Sequence, residues 1–297
     1  MLLRFAMSRF CCSSVSSLRA LTIRTVPLRT YRVPGASPLS FENDTTVYKQ
    51  HKTKRQELLH AKLTSSNRFQ PISAREDRSD WPAAIYKAIC KGRWLPVYKG
   101  CEIMKGPEDL VVRSQLFWYL KPATIIELGA YAGGAAIWMG DTLKTLGIPC
   151  QIYSMDIDLS LLEDCVKEVK PDNVTFLQGD CYAIEKTFTP KFMSQLPHPW
   201  VVFEDSHPDC KNVLEYFHKF MQQGDYLTVE DTDPHIPRDV GMGSYEGPYV
   251  EHGTQKLENL KSFLNEYKEW YAVDSFYTDF YGYNGSWFWH GYIRRMK

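Results

Sequence analysis

The chain of 297 residues carries no net charge, since 35 lysines and arginines face 35 aspartates and glutamates. Without a basic excess nothing draws it onto nucleic acid or an anionic membrane surface, and a small or neutral partner is expected. No apolar run approaches the roughly 18 to 20 residues that a spanning helix needs, which leaves no candidate for membrane insertion. No CxxC pair or zinc-ligand spacing occurs among the eight cysteines, scattered apart from the adjacent Cys11 and Cys12. That usage suits a reducing compartment better than a disulfide framework. There is no internal repeat, and the length fits one large α/β domain behind an N-terminal extension. A homo-oligomer is compatible with all of these features.

One local absence is informative. Residues 1–41 contain Arg4, Arg9, Arg19, Arg24, Arg29 and Arg32, are rich in serine, and hold no acid before Glu42. An arginine-rich, serine-rich, acid-free segment has the composition of a mitochondrial transit peptide; an unaddressed basic tail on a cytoplasmic protein is the alternative. Residues 42–80 are polar and charged, with "YKQHKTKRQELLHAKL" readable as a solvated helical arm and "REDRSD" as linker. At Trp81 the character changes to aromatics and apolar runs, and the main domain is expected over 81–297.

Within it, five short runs rich in Val, Ile, Tyr and Phe alternate with helix-length segments: "ATIIEL", "CQIYSMD", "NVTFLQ", "WVVFED" and "YLTVED". Helices are expected at Pro107–Leu120, 133–146, 159–169, 182–195, 210–223 and 255–269. This alternation predicts right-handed βαβ crossovers and an α/β, Rossmann-like, doubly wound and mostly parallel sheet. Two later segments, "WYAVDSFYTDF" and "SWFWHGYIRR", around the turn-rich "YGYNG", predict an antiparallel C-terminal hairpin and seven strands in all.

In such a sheet, ligands sit outside the carboxyl ends of the strands, where strand order reverses. The first strand runs into "IIELGAYAGGAA", in which Gly129, Gly133 and Gly134 let the backbone turn sharply beside a helix N-terminus. Their spacing departs from the dinucleotide fingerprint G-x-G-x-x-G, and a tight strand-to-helix turn needs glycine even without a ligand. The second strand ends in Asp156, placed to accept hydrogen bonds from both ribose hydroxyls, and the third is followed by Asp180, placed to meet an adenine amino group. Each acid alone could equally be a helix N-cap. The fourth and fifth strands end in Glu204 with Asp205 and in Glu230 with Asp231. Carboxylates gathered at adjacent tips form a hard oxygen site suited to magnesium or manganese, and would repel one another without a metal, raising at least one pKa.

These motifs, in this order, resemble class I S-adenosylmethionine-dependent methyltransferases. More narrowly, "YKGCEIMKGPEDL", "KPATIIELGAYAGGAA", "FEDSHPDCKNVLEYF" and "LTVEDTD" are similar to the cephalosporin hydroxylase-like group that includes rhamnosyl O-methyltransferases, over roughly residues 94–295. The resemblance implies that Glu127, Gly129, Tyr131 and Gly133 line the methionine and ribose side of S-adenosylmethionine. It implies also that Asp156 holds the ribose, that Asp180 lies near adenine, and that Asp205, Glu230 and Asp231 bind Mg2+ or Mn2+. The expected activity is transfer of a methyl group to a hydroxyl of a small molecule, with Asp205 and His207 as catalytic residues. His207 is a candidate base, or else a hydrogen-bonding residue at the start of the next helix. Catechol-type enzymes carry a lysine three positions after the equivalent aspartate, where this chain has Pro208.

Other readings stay open at this point. A hydroxylase would need a two-histidine, one-carboxylate iron site, for which His207 and His235 lie near the acids. Tyr182 and Lys186 offer a dehydrogenase-like pair, but they follow the third strand and the glycine spacing is wrong for a nicotinamide cofactor. A non-catalytic nucleoside-binding module is a third possibility. Tyr281, Tyr283, Asn284, Trp287 and Trp289 are either walls for a substrate or core of an edge hairpin, and the stretch 232–253 reads as a lid.

Overall fold

The structure, a computed structural model, describes residues 41–234 and 253–297. The transit peptide expected over residues 1–41 lies almost wholly outside the described residues, as do His235 and nearly all of the expected lid. The chain divides into a short unit, Met1–Lys54, and a compact unit, Arg55–Lys297.

Helix α1 (Phe41–Thr64) is the expected polar arm. Strand β1 (Phe69–Gln70) follows, then α2 (Ala83–Gly92) and a small hairpin of β2 (Val97–Tyr98) and β3 (Cys101–Glu102). Helix α3 (Pro107–Leu120) starts where the sequence places it: proline costs nothing at the first helical position, and Asp109 reaches back to accept the Gly106 N–H at 3.2 Å. The remaining elements that matter here are β4 (Thr124–Leu128), α4 (Gly134–Thr145), β5 (Gln151–Asp156), β6 (Val174–Gln178), β7 (Trp200–Glu204), β8 (Tyr226–Val229), β9 (Tyr271–Asp274) and β10 (Tyr292–Arg295).

The main sheet has eight strands in the order β1-β9-β10-β8-β7-β4-β5-β6. From β6 to β8 every pairing is parallel; β10 runs antiparallel to both β8 and β9, and β1 antiparallel to β9. The central strands β4, β7 and β8 are buried at every residue, as helices on both faces require. Alternate side chains feed two cores, with Ile126, Leu128, Val202 and Leu227 on one face and Ile125, Val201, Phe203 and Tyr226 on the other.

Three expectations need revision. Among the described residues the sheet has eight strands rather than seven, because β1 comes from the polar, charged stretch 42–80 ahead of the expected domain. A two-residue strand has no alternation to read; an ion pair from Arg68 to Asp274 at 2.7 Å fastens it. Residues 159–169 and 182–195 are not continuous helices. The first breaks into a turn at Leu159–Leu161 and a short helix at Val166–Val169. The second is interrupted where the Thr189 side chain caps a new turn that opens on Pro190. Finally, β9 and β10 do pair antiparallel, but β10 lies inside the sheet and the connection holds its own helical turn, Ser275–Thr278.

Chain order reverses beside β4: β5 and β6 extend to one side, and the chain then crosses to β7 and β8 on the other. Leu128 pairs with Glu204 and Glu204 with Val229, so the carboxyl ends of β4, β7 and β8 are level. The residues after these strands therefore share one crevice.

Candidate active site

The turn after β4 forms the floor of that crevice. Gly129 has φ +101° and Gly133 φ +86°, a region that side chains rarely enter. A Cβ on Gly129 would lie 2.7 Å from the carbonyl oxygen of Asp205, so this turn and the tip of β7 are in direct backbone contact. The Tyr131 N–H donates to Asp156 Oδ2 at 2.8 Å, tying the turn to the end of β5. Asp180 does act as a cap, accepting the Tyr182 N–H at 2.9 Å, and stands at the end of β6 beside the same crevice.

Glu127 lies just beneath, 1% exposed. The Ser154 hydroxyl donates to its Oε2 at 2.6 Å, while Oε1 is buried with no hydrogen-bond partner. Burial pushes the carboxyl up to about 7, against the bond from Ser154 and the pull of Lys105 and Arg113. A buried carboxylate oxygen in want of a donor fits a ligand ammonium.

The second half of the site departs from expectation. Asp205, Glu230 and Asp231 do come together at adjacent strand tips, but basic side chains already meet them. Lys105, on the connection between β3 and α3, places Nζ against Asp205 Oδ2 and 2.6 Å from Glu230 Oε2. Arg113 of α3 pairs with Glu230 Oε1. Arg93, just past α2, lies 3.4 Å from Asp231 Oδ1. Behind them Lys256, fully buried, sits 2.9 Å from Glu204 Oε2 and donates to the Ser206 carbonyl at 2.9 Å.

The expected mutual repulsion is thus replaced by neutralisation. Burial alone would raise the Asp231 carboxyl, but Arg93, then His207, Lys256 and Lys105, hold it well below the ordinary carboxylate range. Lys105, Arg113 and Lys256 are buried, which disfavours their charged forms, yet their carboxylate partners keep all three protonated. Among the described residues no three histidine, cysteine or carboxylate side chains converge as a preformed ligand set. Asp205 and Glu230 converge as a pair on one point held by an ammonium, while Asp231, at φ +54°, turns to Arg93. Two hard carboxylates aimed at a single cationic position fit a divalent ion. His207 stands close enough to Asp231 to act on its charge.

The C-terminal aromatic segment is mainly core. Trp287, Trp289 and Asn284 are buried, Tyr281 is exposed, and the Tyr283 ring stacks against Arg75 and Arg78. Trp287 nonetheless borders the site by lying under the Arg93 guanidinium, 5.0 Å from its ring centre. Sequence reasoning missed all four basic residues. Lys105 stands in the quoted "EIMKGPED", yet a lysine on an irregular connection carries no signal of burial. Lys256 and Arg113 lie on buried helix faces, where a charge calls for a partner.

Strand order, a glycine turn against the reversal point and acids at successive strand ends together define a class I S-adenosylmethionine-dependent methyltransferase fold. The family model described as Rhamnosyl O-methyltransferase/CmcI matches residues 92–296, and the chain belongs to that family. A rhamnosyl O-methyltransferase of Mycobacterium leprae (strain TN) is 27% identical over 163 residues, 50% of this chain and 67% of the relative. One from Mycobacterium tuberculosis (strain ATCC 25618 / H37Rv) is 25% identical over 158 residues, 50% of this chain and 63% of the relative. The chain thus spans about two thirds of the curated relatives it matches. Among solved structures, "cmcI-D160 Mg-SAM" is 25% identical with a TM-score of 0.53, over 81% of this chain and 95% of that one. "CmcI-N160 apo-structure" is also 25% identical with a TM-score of 0.53, over 73% and 85%.

Proposed function

We propose that this chain is a divalent-metal-dependent O-methyltransferase that moves a methyl group from S-adenosylmethionine to a hydroxyl of a small molecule. The observation that carries the reading is the buried, unpartnered Glu127 Oε1 beneath a glycine turn that touches the tip bearing Asp205.

In this reading Glu127 receives the ammonium of the cofactor's methionine part, and the backbone at Gly129, Tyr131 and Gly133 shapes the floor beside it. Asp156, already oriented by the Tyr131 N–H, accepts from the ribose hydroxyls, and Asp180 stands at the adenine end. Asp205 and Glu230 would hold the metal, with Asp231 alongside. When bound, such an ion lowers the pKa of a coordinated acceptor hydroxyl. His207, beside Asp231, takes the hydroxyl proton on its imidazole nitrogen. The turn and the β7 tip hold acceptor and donor in fixed relation, so the rate owes most to positioning and electrostatics.

Calorimetry of S-adenosylmethionine binding, with Mg2+ and with chelator, tests the reading alongside a methyl-transfer screen over hydroxylated acceptors. Binding lost in Glu127→Gln and turnover lost in Asp205→Asn would support it. An unchanged affinity in Glu127→Gln would overturn the cofactor assignment. We further propose, on composition alone, that residues 1–41 direct the protein to mitochondria; a fluorescent fusion of that segment remaining diffuse would refute this.

A further inference from the structure

The basic side chains at the strand tips differ in what holds them. Four carboxylates, Glu204, Asp205, Glu230 and Asp231, face four cations, Arg93, Lys105, Arg113 and Lys256. Glu127 and Asp109 also stand within electrostatic reach of Lys105 and Arg113, and burial raises both carboxyls, Asp109 to about 8. A divalent ion on the Asp205 and Glu230 pair would set two more positive charges among these groups, where burial leaves little solvent screening.

The cation that already holds the point between Asp205 and Glu230 must give way to such an ion, and the structure identifies which it is. Arg113 is in the body of α3, 1% exposed, with its guanidinium 4.3 Å from the Phe203 ring centre and Met139 Sδ within 3.7 Å. Lys256 is fully enclosed and bonded to two main-chain carbonyls besides Glu204. Arg93 faces Asp231 rather than the convergent pair. Lys105 is the only one of the four whose ammonium lies between Asp205 and Glu230, and it reaches there on a flexible stem from the connection between β3 and α3. The Asp205 side chain, 15% exposed, is the more open wall of the position, so the point can be reached from solvent.

We propose that the Lys105 ammonium and the divalent metal occupy the Asp205 and Glu230 pair in mutually exclusive fashion. Lys105 is then the resident cation of the metal-free chain, and its departure is part of metal binding. This rests on the metal-dependent reading above. It makes metal affinity a difference between two cations rather than a property of the carboxylates alone.

The test uses the full chain and Mn2+, with binding read by electron paramagnetic resonance of the free ion. Lys105→Met and Lys105→Gln should each bind Mn2+ at least about tenfold more tightly than wild type, because the competing charge is gone. In wild type, acylation of Lys105 by an amine-reactive ester, followed by peptide mass spectrometry, should increase severalfold when Mn2+ saturates, with Lys256 unchanged. Equal or weaker Mn2+ binding by the folded variants, with wild type binding normally, would overturn the proposal and leave the metal-dependent reading standing. No Mn2+ binding by wild type or variants at millimolar concentration would overturn both. If neither variant folds, the wild-type labelling decides: Lys105 equally protected with and without saturating Mn2+ refutes displacement.

Discussion

Across the pair β4 and β5, the Ser154 hydroxyl donates to Glu127 Oε2 at 2.6 Å and leaves the second carboxylate oxygen buried without a hydrogen-bond partner. Burial lifts the Glu127 carboxyl from 4.5 to about 7. A carboxyl whose folded pKa exceeds its unfolded value costs nothing below the unfolded pKa. It destabilises the chain progressively as pH climbs through the interval, then levels off. Ligand-free wild type should accordingly lose stability between about pH 5 and 7 relative to Glu127→Gln, measured by thermal melts of both proteins. S-adenosylmethionine affinity should rise over the same interval in wild type.

Gly129 and Gly224 share φ +101°, but a Cβ at Gly224 would meet nothing within 4 Å. The pair separates backbone strain from contact. Gly224→Ala should cost roughly 1–3 kcal/mol through conformation alone. Gly129→Ala should cost more, since its methyl would press on the Asp205 carbonyl, and it should also weaken cofactor binding. Urea unfolding and calorimetry on both variants check this; equal costs would mean that the turn can move away from β7.

Arg113 and Glu230 form a fully enclosed pair. Arg113→Ala leaves Glu230 with Lys105 alone, and unfolding should become easier by roughly 3–5 kcal/mol. Chemical denaturation measures it. A loss within the error of the midpoint would show that water reaches Glu230.

Asp156 accepts from both the Tyr131 and the Asp158 main-chain N–H groups. Asp156→Ala should therefore weaken cofactor binding and also speed amide exchange at Tyr131. Hydrogen-exchange mass spectrometry of the ligand-free protein reads the second effect without any cofactor.

The parallel half of the fold was legible because β4, β7 and β8 are buried on both faces and read as apolar runs, each ending in chemistry-bearing residues. Pro107 announced α3 to the residue. Gly129, Asp156 and the acid tips were singled out by position at strand ends, a place that sequence alone can mark, whereas Glu127 was named only through the family resemblance. What escaped was everything decided by long-range pairing. A two-residue strand such as β1 has no period, and Trp287 and Trp289 look the same in sequence whether they line a pocket or fill a core. The partners of the acids were invisible for the same reason: Lys105 lies 100 positions from Asp205 and 125 from Glu230.

Among the described residues strand β1 joins the sheet through β9 alone, and Arg68 meets Asp274 across 206 positions of chain. During synthesis, the segment that supplies β1 must wait, unpaired, while the five parallel strands form and until β9 has emerged. Closing so long a loop is slow. This edge of the sheet is therefore the last part to be sealed, and a chain stalled before β9 would present β1 and the adjoining Arg68 to whatever chaperone or neighbour it meets first.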